Sequence, residues 1–150
     1  MNSKIASFCF FIFIACFADF AFNSIFEPTF STTIFNLLIL CMAQMVTILA
    51  QFFSWFFLLT SRRSVKFGGY ESIFRDFGVL FLTTTAYVVL FVIHKAMLFV
   101  VMGRGADLYD LWNNWTLLTL WSCERIVAVL HYCFSIFYTI KMLLDPSQFL

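Results

Sequence analysis

The side chains most able to do chemistry in this sequence are ionisable groups in the middle of apolar runs. Glu124 and Arg125 are neighbours within the run 117–140, and His131 follows about two helical turns later. Each charge at the centre of a membrane helix costs roughly 2.5–3.5 kcal/mol, whereas each large apolar residue returns only about 0.3–0.6 kcal/mol. The run is therefore marginal for insertion, and we expect other helices to cover its polar face.

Two further apolar runs also contain ionisable residues. His94 and Lys95 form a second adjacent pair, and Asp19 stands alone in the first run. Asp19 either caps the end of its helix or pairs with Arg125 or Lys95. We expect Arg125 to pair within the bundle, with Asp19 or Glu124 as its partner. Lys95 either extends outward to the membrane interface or reaches Glu124. His94 is more typical of a hydrogen-bonded side chain in a bundle than of a metal ligand, because no second ligand stands at a binding spacing.

The same residues do not form a catalytic pattern. An intramembrane enzyme would need a nucleophile beside a base, or a cluster of metal ligands. His131 and Cys133 are only two residues apart, so their side chains point to different sides of a helix. We therefore expect a protein that is not an enzyme and needs no metal or other cofactor.

The composition is that of a membrane protein. Of 150 residues, 63% are hydrophobic and 11% are charged, against roughly 25% charged in an average soluble domain. The mean hydropathy is +0.95. A net charge of +1 provides no basic face for nucleic acid. The five cysteines all lie in apolar stretches, where thiols usually pack as hydrophobic groups, so no disulfide framework can be inferred.

Four apolar stretches are long enough to cross a hydrocarbon layer of about 30 Å as helices. They cover about residues 5–26, 34–59, 78–101 and 115–140. We predict an all-α membrane protein whose single domain is a bundle of four transmembrane helices. A cleaved signal peptide beginning near Lys4 is the competing interpretation of the first stretch, but the apolar character there continues without a break.

Polar residues follow one side of each predicted helix. In the fourth span, His131, Glu124 and Arg125 fall with small residues in a sector of about 120°, and apolar residues lie opposite. In the second span, Gln44 and Gln51 recur at helical spacing, which is typical of hydrogen bonding between helices in hydrocarbon. A substrate pathway is the alternative interpretation of these two amides.

The loop charges predict an orientation. The loop between the second and third spans carries the densest group of bases, Arg62, Arg63 and Lys66. Because basic loops are retained in the cytoplasm, we expect this loop and both termini to be cytoplasmic. The other two loops are more acidic, and Glu27 belongs to the first of them.

A short amphipathic helix is predicted in the cytoplasmic loop. Tyr70, Ile73, Phe74 and Phe77 recur at helical spacing, and charged residues occupy the other side. Such a segment is typical of a helix that lies in the membrane interface. We therefore expect an interfacial helix between the second and third spans, separate from both.

Several short motifs occur in a definite order along the chain. The first span ends in Asp19-Phe20-Ala21-Phe22-Asn23-Ser24-Ile25-Phe26-Glu27, and the third begins with the run 79–87 and contains His94. The fourth contains Arg125-Ile126-Val127-Ala128-Val129-Leu130-His131, and Asp145-Pro146 follows it. In this order and spacing the sequence resembles the transmembrane protein 138 family over nearly its whole length. It departs from that family at Glu124, where the family has glutamine.

The resemblance implies a small four-span protein that is needed for ciliogenesis. It implies a location at the cilium, the ciliary base and associated vesicle or vacuole membranes. The partners would be other ciliary or transition-zone membrane proteins, which this protein would help to assemble or traffic, with no small-molecule substrate. The alternative is a small transporter or channel that uses Asp19, Lys95, Glu124 and Arg125 as a charge relay.

Overall fold

The computed structural model describes residues 3–27, 33–61, 71–105 and 113–144. These residues form four long helices: α1 Ser3–Ala21, α2 Ile34–Thr60, α3 Glu71–Gly103 and α4 Trp115–Leu144. Their membrane-spanning parts are Ile5–Phe26, Ile34–Thr60, Ile73–Gly103 and Trp115–Leu144. All four are long and apolar enough to cross a membrane, which confirms the predicted all-α, four-span architecture.

Consecutive helices pack as two antiparallel hairpins. α1 packs mainly on α2 and α3 packs mainly on α4, and the hairpins meet chiefly where α1 contacts α4. Because the number of spans is even, Ser3 and Leu144 lie at the same end of the bundle, which we call the terminal end. Gly103 and Trp115 lie at the opposite end, which we call the loop end.

Side chains of the flanking residues cap the two helices that begin at the loop end. Thr33 precedes α2 with an extended backbone, and its Oγ1 accepts a hydrogen bond of 3.2 Å from the Asn36 amide. Asn114 precedes α4, and its Oδ1 accepts from the amides of Thr116 at 3.1 Å and Leu117 at 3.4 Å. These caps satisfy amides that have no partner within the helix, and so they fix where each helix starts.

A π-helical segment, Phe22–Phe26, continues the first helix towards the loop end. A regular α-helix advances about 100° per residue, so it would place Glu27 about 80° around the helix from Asp19. Turns of a π-helix hold more residues, because their hydrogen bonds span five residues instead of four, and this removes most of the drift. Asp19, Asn23 and Glu27 are consequently all buried, at 0%, 3% and 4% exposure.

The predicted interfacial helix is not a separate element. Glu71–Gly103 is one continuous α-helix, so the amphipathic segment forms its first two turns. The Phe77 ring is buried and packs against the rings of Trp55 and Tyr138, with centroids 6.3 Å and 5.0 Å apart. The prediction was wrong because α2 and α4 are long enough to cover this apolar side. Tyr70 and the basic cluster lie outside the described residues.

The outer surface of the bundle is apolar and rich in phenylalanine. Exposed aromatic side chains on α1 and α2 include Phe10, Phe17, Phe35, Phe53 and Phe56. In water such a surface would cause association, but lipid chains match it. The protein therefore turns its apolar side chains outward and its polar ones inward.

Candidate functional site

The ionisable and amide residues singled out from the sequence meet inside the bundle. Seven of them are buried: Asp19, Gln44, Gln51, His94, Lys95, Glu124 and His131. The eighth, Arg125, has 17% of its side chain exposed. Together with neighbours that the sequence did not single out, these residues form three layers that follow one another from the loop end towards the terminal end.

The first layer, which we call the charged layer, contains Glu27, His94, Lys95, Glu124 and Arg125. Glu27 Oε2 lies 2.6 Å from Lys95 Nζ and 2.6 Å from Arg125 Nη2, so one carboxylate serves two cations. The ring of Trp121 covers the Arg125 guanidinium at 5.3 Å. This ion triad joins the end of the first helix to both α3 and α4.

The triad corrects two predictions. Arg125 was expected to pair with Asp19 or Glu124, but its carboxylate partner is Glu27. Lys95 was expected to extend to the interface or to reach Glu124, but it is 3% exposed and also pairs with Glu27. Both predictions failed for one reason: Glu27 was placed in an outer loop, whereas the π-helical segment turns it into the bundle.

The second ionic contact of the charged layer joins His94 and Glu124. His94 Nδ1 is hydrogen-bonded to Glu124 Oε2, and Glu124 is fully buried. The other oxygen of this carboxylate, Oε1, has no hydrogen-bond partner. Among the described residues no group of three or more histidine, cysteine, aspartate or glutamate side chains could hold a metal ion. The pair therefore acts as an acid and base in direct contact within the membrane.

The second layer, the hydroxyl layer, is a chain of hydrogen bonds that ends on Asp19. Gln44 Nε2 donates to Asn23 Oδ1 at 2.8 Å. Asn23 Nδ2 donates to the hydroxyl oxygens of Tyr87 and Tyr132 at 2.8 Å and 2.7 Å. Both tyrosine hydroxyls in turn donate to Asp19 Oδ2 at 2.8 Å. Every donor points towards the carboxylate, so the bonds polarise and strengthen one another.

The contacts of Asp19 therefore agree with neither interpretation of the sequence. It does not cap the end of a helix, and neither Arg125 nor Lys95 contacts it. Its charge is held by neutral hydroxyl groups from α3 and α4, with Thr47 of α2 at 3.4 Å from Oδ1. Hydrogen bonds donated to a carboxylate favour its ionised form.

The third layer, the histidine layer, links α2, α3 and α4. His131 Nε2 lies 2.8 Å from Gln51 Oε1, and its Nδ1 lies 3.1 Å from Thr84 Oγ1. The ring also stacks on Tyr87, with centroids 5.4 Å apart and planes 19° apart. The stacked ring connects this layer to the hydroxyl layer.

Four residues that hold the layers together were not among the predicted site residues: Asn23, Glu27, Tyr87 and Tyr132. A signal for two of them was present, because Asp19, Asn23 and Glu27 recur at intervals of four residues. This spacing was not used, because the end of the motif was assigned to a loop. Tyr132 falls in the polar sector of the fourth span, but an aromatic residue in an apolar run usually packs as a hydrophobic group, so no hydrogen-bonding role was predicted for it.

The layers account for most polar groups of the bundle interior by contacts within this one chain. Gln51 and His131 bind each other, and the cations of the triad share Glu27. The polar sides of the helices thus face one another, not an outside partner. Comparison of the chain with models of protein families, with curated proteins and with solved structures finds no match.

Proposed function

We propose that this protein is a non-enzymatic component that helps to assemble or traffic membrane proteins of the cilium. The observation that carries the proposal is where the family-like motifs lie. The motif 19–27 supplies Asp19, Asn23 and Glu27, and the later motifs supply Tyr87, His94 and Arg125. All of these are core contacts, so the resemblance to the transmembrane protein 138 family rests on residues that define the bundle.

The distribution of polar groups supports an assembly role over catalysis or transport. The charges of the bundle interior pair with one another, so they are not free to take up a substrate. What the bundle offers to other proteins is its apolar, phenylalanine-rich exterior. Helices associate in lipid through close packing of such surfaces, so we propose other ciliary or transition-zone membrane proteins as the partners. The proposed locations are the cilium, its base and associated vesicle or vacuole membranes.

Loss of the gene in a ciliated cell tests this function. We expect shortened or absent cilia and mislocalised ciliary membrane proteins, because the assembly component is missing. The measurement is cilium length and partner localisation by microscopy, with rescue by the wild-type protein and by Leu130→Ile. Leu130 is 45% exposed on the lipid side, so the latter variant is a matched control for normal folding.

Two outcomes would contradict the proposal. Cells that lack the protein but build normal cilia would show that it has no ciliary role. Purified protein that moves an ion or solute across liposomes at a rate dependent on Glu124 or Lys95 would instead favour the transporter. The transporter is the second candidate function because the charged layer contains five ionisable side chains.

We also propose that the terminal end faces the cytoplasm, since the basic residues 62–66 directly follow α2 there. Ser61 is exposed at the terminal end and Asn113 is exposed at the loop end, which provides a matched pair of labelling sites. A membrane-impermeant thiol reagent should label Asn113→Cys in intact cells, and Ser61→Cys only after permeabilisation. If the accessibilities were reversed, the proposed orientation would be wrong.

A further inference from the structure

The charges of the bundle interior do not balance without an additional proton. Among the described residues the interior contains three acids, Asp19, Glu27 and Glu124, and two bases, Lys95 and Arg125, which both contact Glu27. If all three acids and both bases are charged, and the histidines His94 and His131 are both neutral, the interior has a net charge of −1. An uncompensated charge in a membrane bundle is strongly unfavourable.

Two of the three acids have surroundings that favour the ionised form. Glu27 lies between two cations, each 2.6 Å from the same oxygen. Asp19 accepts hydrogen bonds from two tyrosine hydroxyls at one oxygen, and bonds donated to a carboxylate stabilise its charge. Both acids therefore have at least two partners each that stabilise the negative charge.

Glu124 has different surroundings. Its side-chain contact is His94, and its second oxygen has no hydrogen-bond partner. Lys95 and Arg125 adjoin these two residues in sequence, but both cations pair with Glu27 instead. The remaining negative charge can then be neutralised only within the pair of His94 and Glu124.

We propose that the His94–Glu124 pair binds one exchangeable proton, which makes the bundle interior electrically neutral at neutral pH. The proton is carried either by the imidazole as an imidazolium ion or by the carboxyl group as a carboxylic acid. In both cases the pair is neutral as a unit, and its charge state is a property of the two groups together. This inference goes beyond the ciliary proposal and does not depend on it.

The charged and titratable groups around His94 and Glu124 do not change the assignment of the proton to this pair. The first helix contributes Glu27, which contacts both cations, and Asp19, whose carboxylate accepts hydrogen bonds from two tyrosine hydroxyls. α4 contributes Arg125 next to Glu124, and α3 contributes Lys95 next to His94. α2 contains no charged residue, and its titratable group near the charged layer is the thiol of Cys41. Thiols of this kind are neutral at pH 7.

The bound proton makes folding dependent on pH. In the unfolded chain a free histidine has lost its proton above about pH 6.5, and a free glutamate has lost its own well below that pH. The folded bundle therefore holds one proton more than the unfolded chain, so its stability decreases as pH rises. The pair's own contribution should increase the unfolding equilibrium constant about eightfold per pH unit between pH 7 and 8. The five thiols of the unfolded chain begin to ionise towards pH 8, but their contribution is the same in a variant that lacks the pair.

Spectroscopy locates the proton directly, because His94 and His131 are the two histidines of the chain. We would label histidine with nitrogen-15 in the full-length protein at pH 7.5 in lipid nanodiscs. The variant His131→Gln leaves the His94 ring as the single signal. We expect either both ring nitrogens of His94 to be protonated, or an infrared carboxylic acid band that is absent in Glu124→Gln. A neutral His94 ring together with no such band would overturn the proposal.

Unfolding in detergent gives an independent check that does not need Glu124→Gln alone to fold. The double variant His94→Leu and Glu124→Leu removes both members of the pair and therefore the bound proton. We expect the ratio of the wild-type unfolding constant to that of the double variant to increase about eightfold from pH 7 to pH 8, because the two proteins differ only in the pair. The variant His131→Gln should show a similar increase relative to the double variant. A ratio that does not change with pH would show that the pair does not bind the proton.

Discussion

Replacing Glu27 with glutamine is expected to abolish the folded yield of the protein in membranes. This substitution leaves Lys95 and Arg125 without the carboxylate that both contact at 2.6 Å. Removing one partner from a buried ion pair destabilises a protein by about 3–5 kcal/mol, and here two cations lose the same partner. Since total stabilities are only about 5–15 kcal/mol, the loss is sufficient to unfold the bundle.

The measurement is the fraction of monodisperse protein recovered in mild detergent, with two companion variants. Glu71→Gln removes an exposed acid at the start of α3 and should leave the yield unchanged. The triple variant Glu27→Leu, Lys95→Met and Arg125→Leu removes all three charges, and apolar replacement of a complete buried ion cluster is often neutral or stabilising. We therefore expect it to restore the yield. A normal yield of Glu27→Gln would show that the cations find another partner.

The expected severity of that variant depends on a residue whose role the sequence did not predict. Hydropathy and length were sufficient for the four spans, because a hydrocarbon layer of fixed thickness leaves few alternatives for apolar runs of this length. The same reasoning was sufficient to predict that Glu124 and Arg125 face protein. It could not identify their partners, because pairing depends on which residues of other helices reach the same depth.

Glu27 shows most clearly what could not be predicted from the sequence. It precedes Pro28 and follows a polar Asn-Ser pair, a pattern that favours a loop. Whether the chain continues instead as a π-helix depends on tertiary contacts, namely the two cations that stabilise the inward position. Local sequence preferences contain no information about those contacts. Once Glu27 was assigned to a loop, Arg125 and Lys95 had to be given other partners.

The prediction of a separate interfacial helix at the start of α3 was wrong for a related reason. Its apolar side was identified correctly, but periodicity does not reveal whether such a side contacts lipid headgroups or another helix. The outcome depended on how the helices pack, because Trp55 of α2 and Tyr138 of α4 lie at the level of Phe77 and contact its ring.

Tyr87→Phe is expected to destabilise the wild-type bundle more than a bundle that already lacks Asp19. In the wild type the Tyr87 hydroxyl donates to the Asp19 carboxylate at 2.8 Å. Hydrogen bonds to charged groups contribute about 1.5–3 kcal/mol. Side-chain hydrogen bonds measured in membrane bundles average about 0.6 kcal/mol and reach about 1.7. We therefore expect a loss of about 1–2 kcal/mol in the wild-type background.

In Asp19→Leu the same hydroxyl has lost its acceptor and keeps only the hydrogen bond from Asn23, so its removal should cost less than in the wild type. The two substitutions should therefore couple by about 1 kcal/mol or more. Reversible unfolding in mixed micelles measures each corner of this double-mutant cycle. Tyr138→Phe is the matched control, because Tyr138 is buried at 8% exposure and packs through its ring, 5.0 Å from that of Phe77. Its cost should be the same in both backgrounds. If the effects of Tyr87→Phe and Asp19→Leu were additive, the chain of donors would not end on Asp19, and the ionised state assigned to that carboxylate would lose its main support.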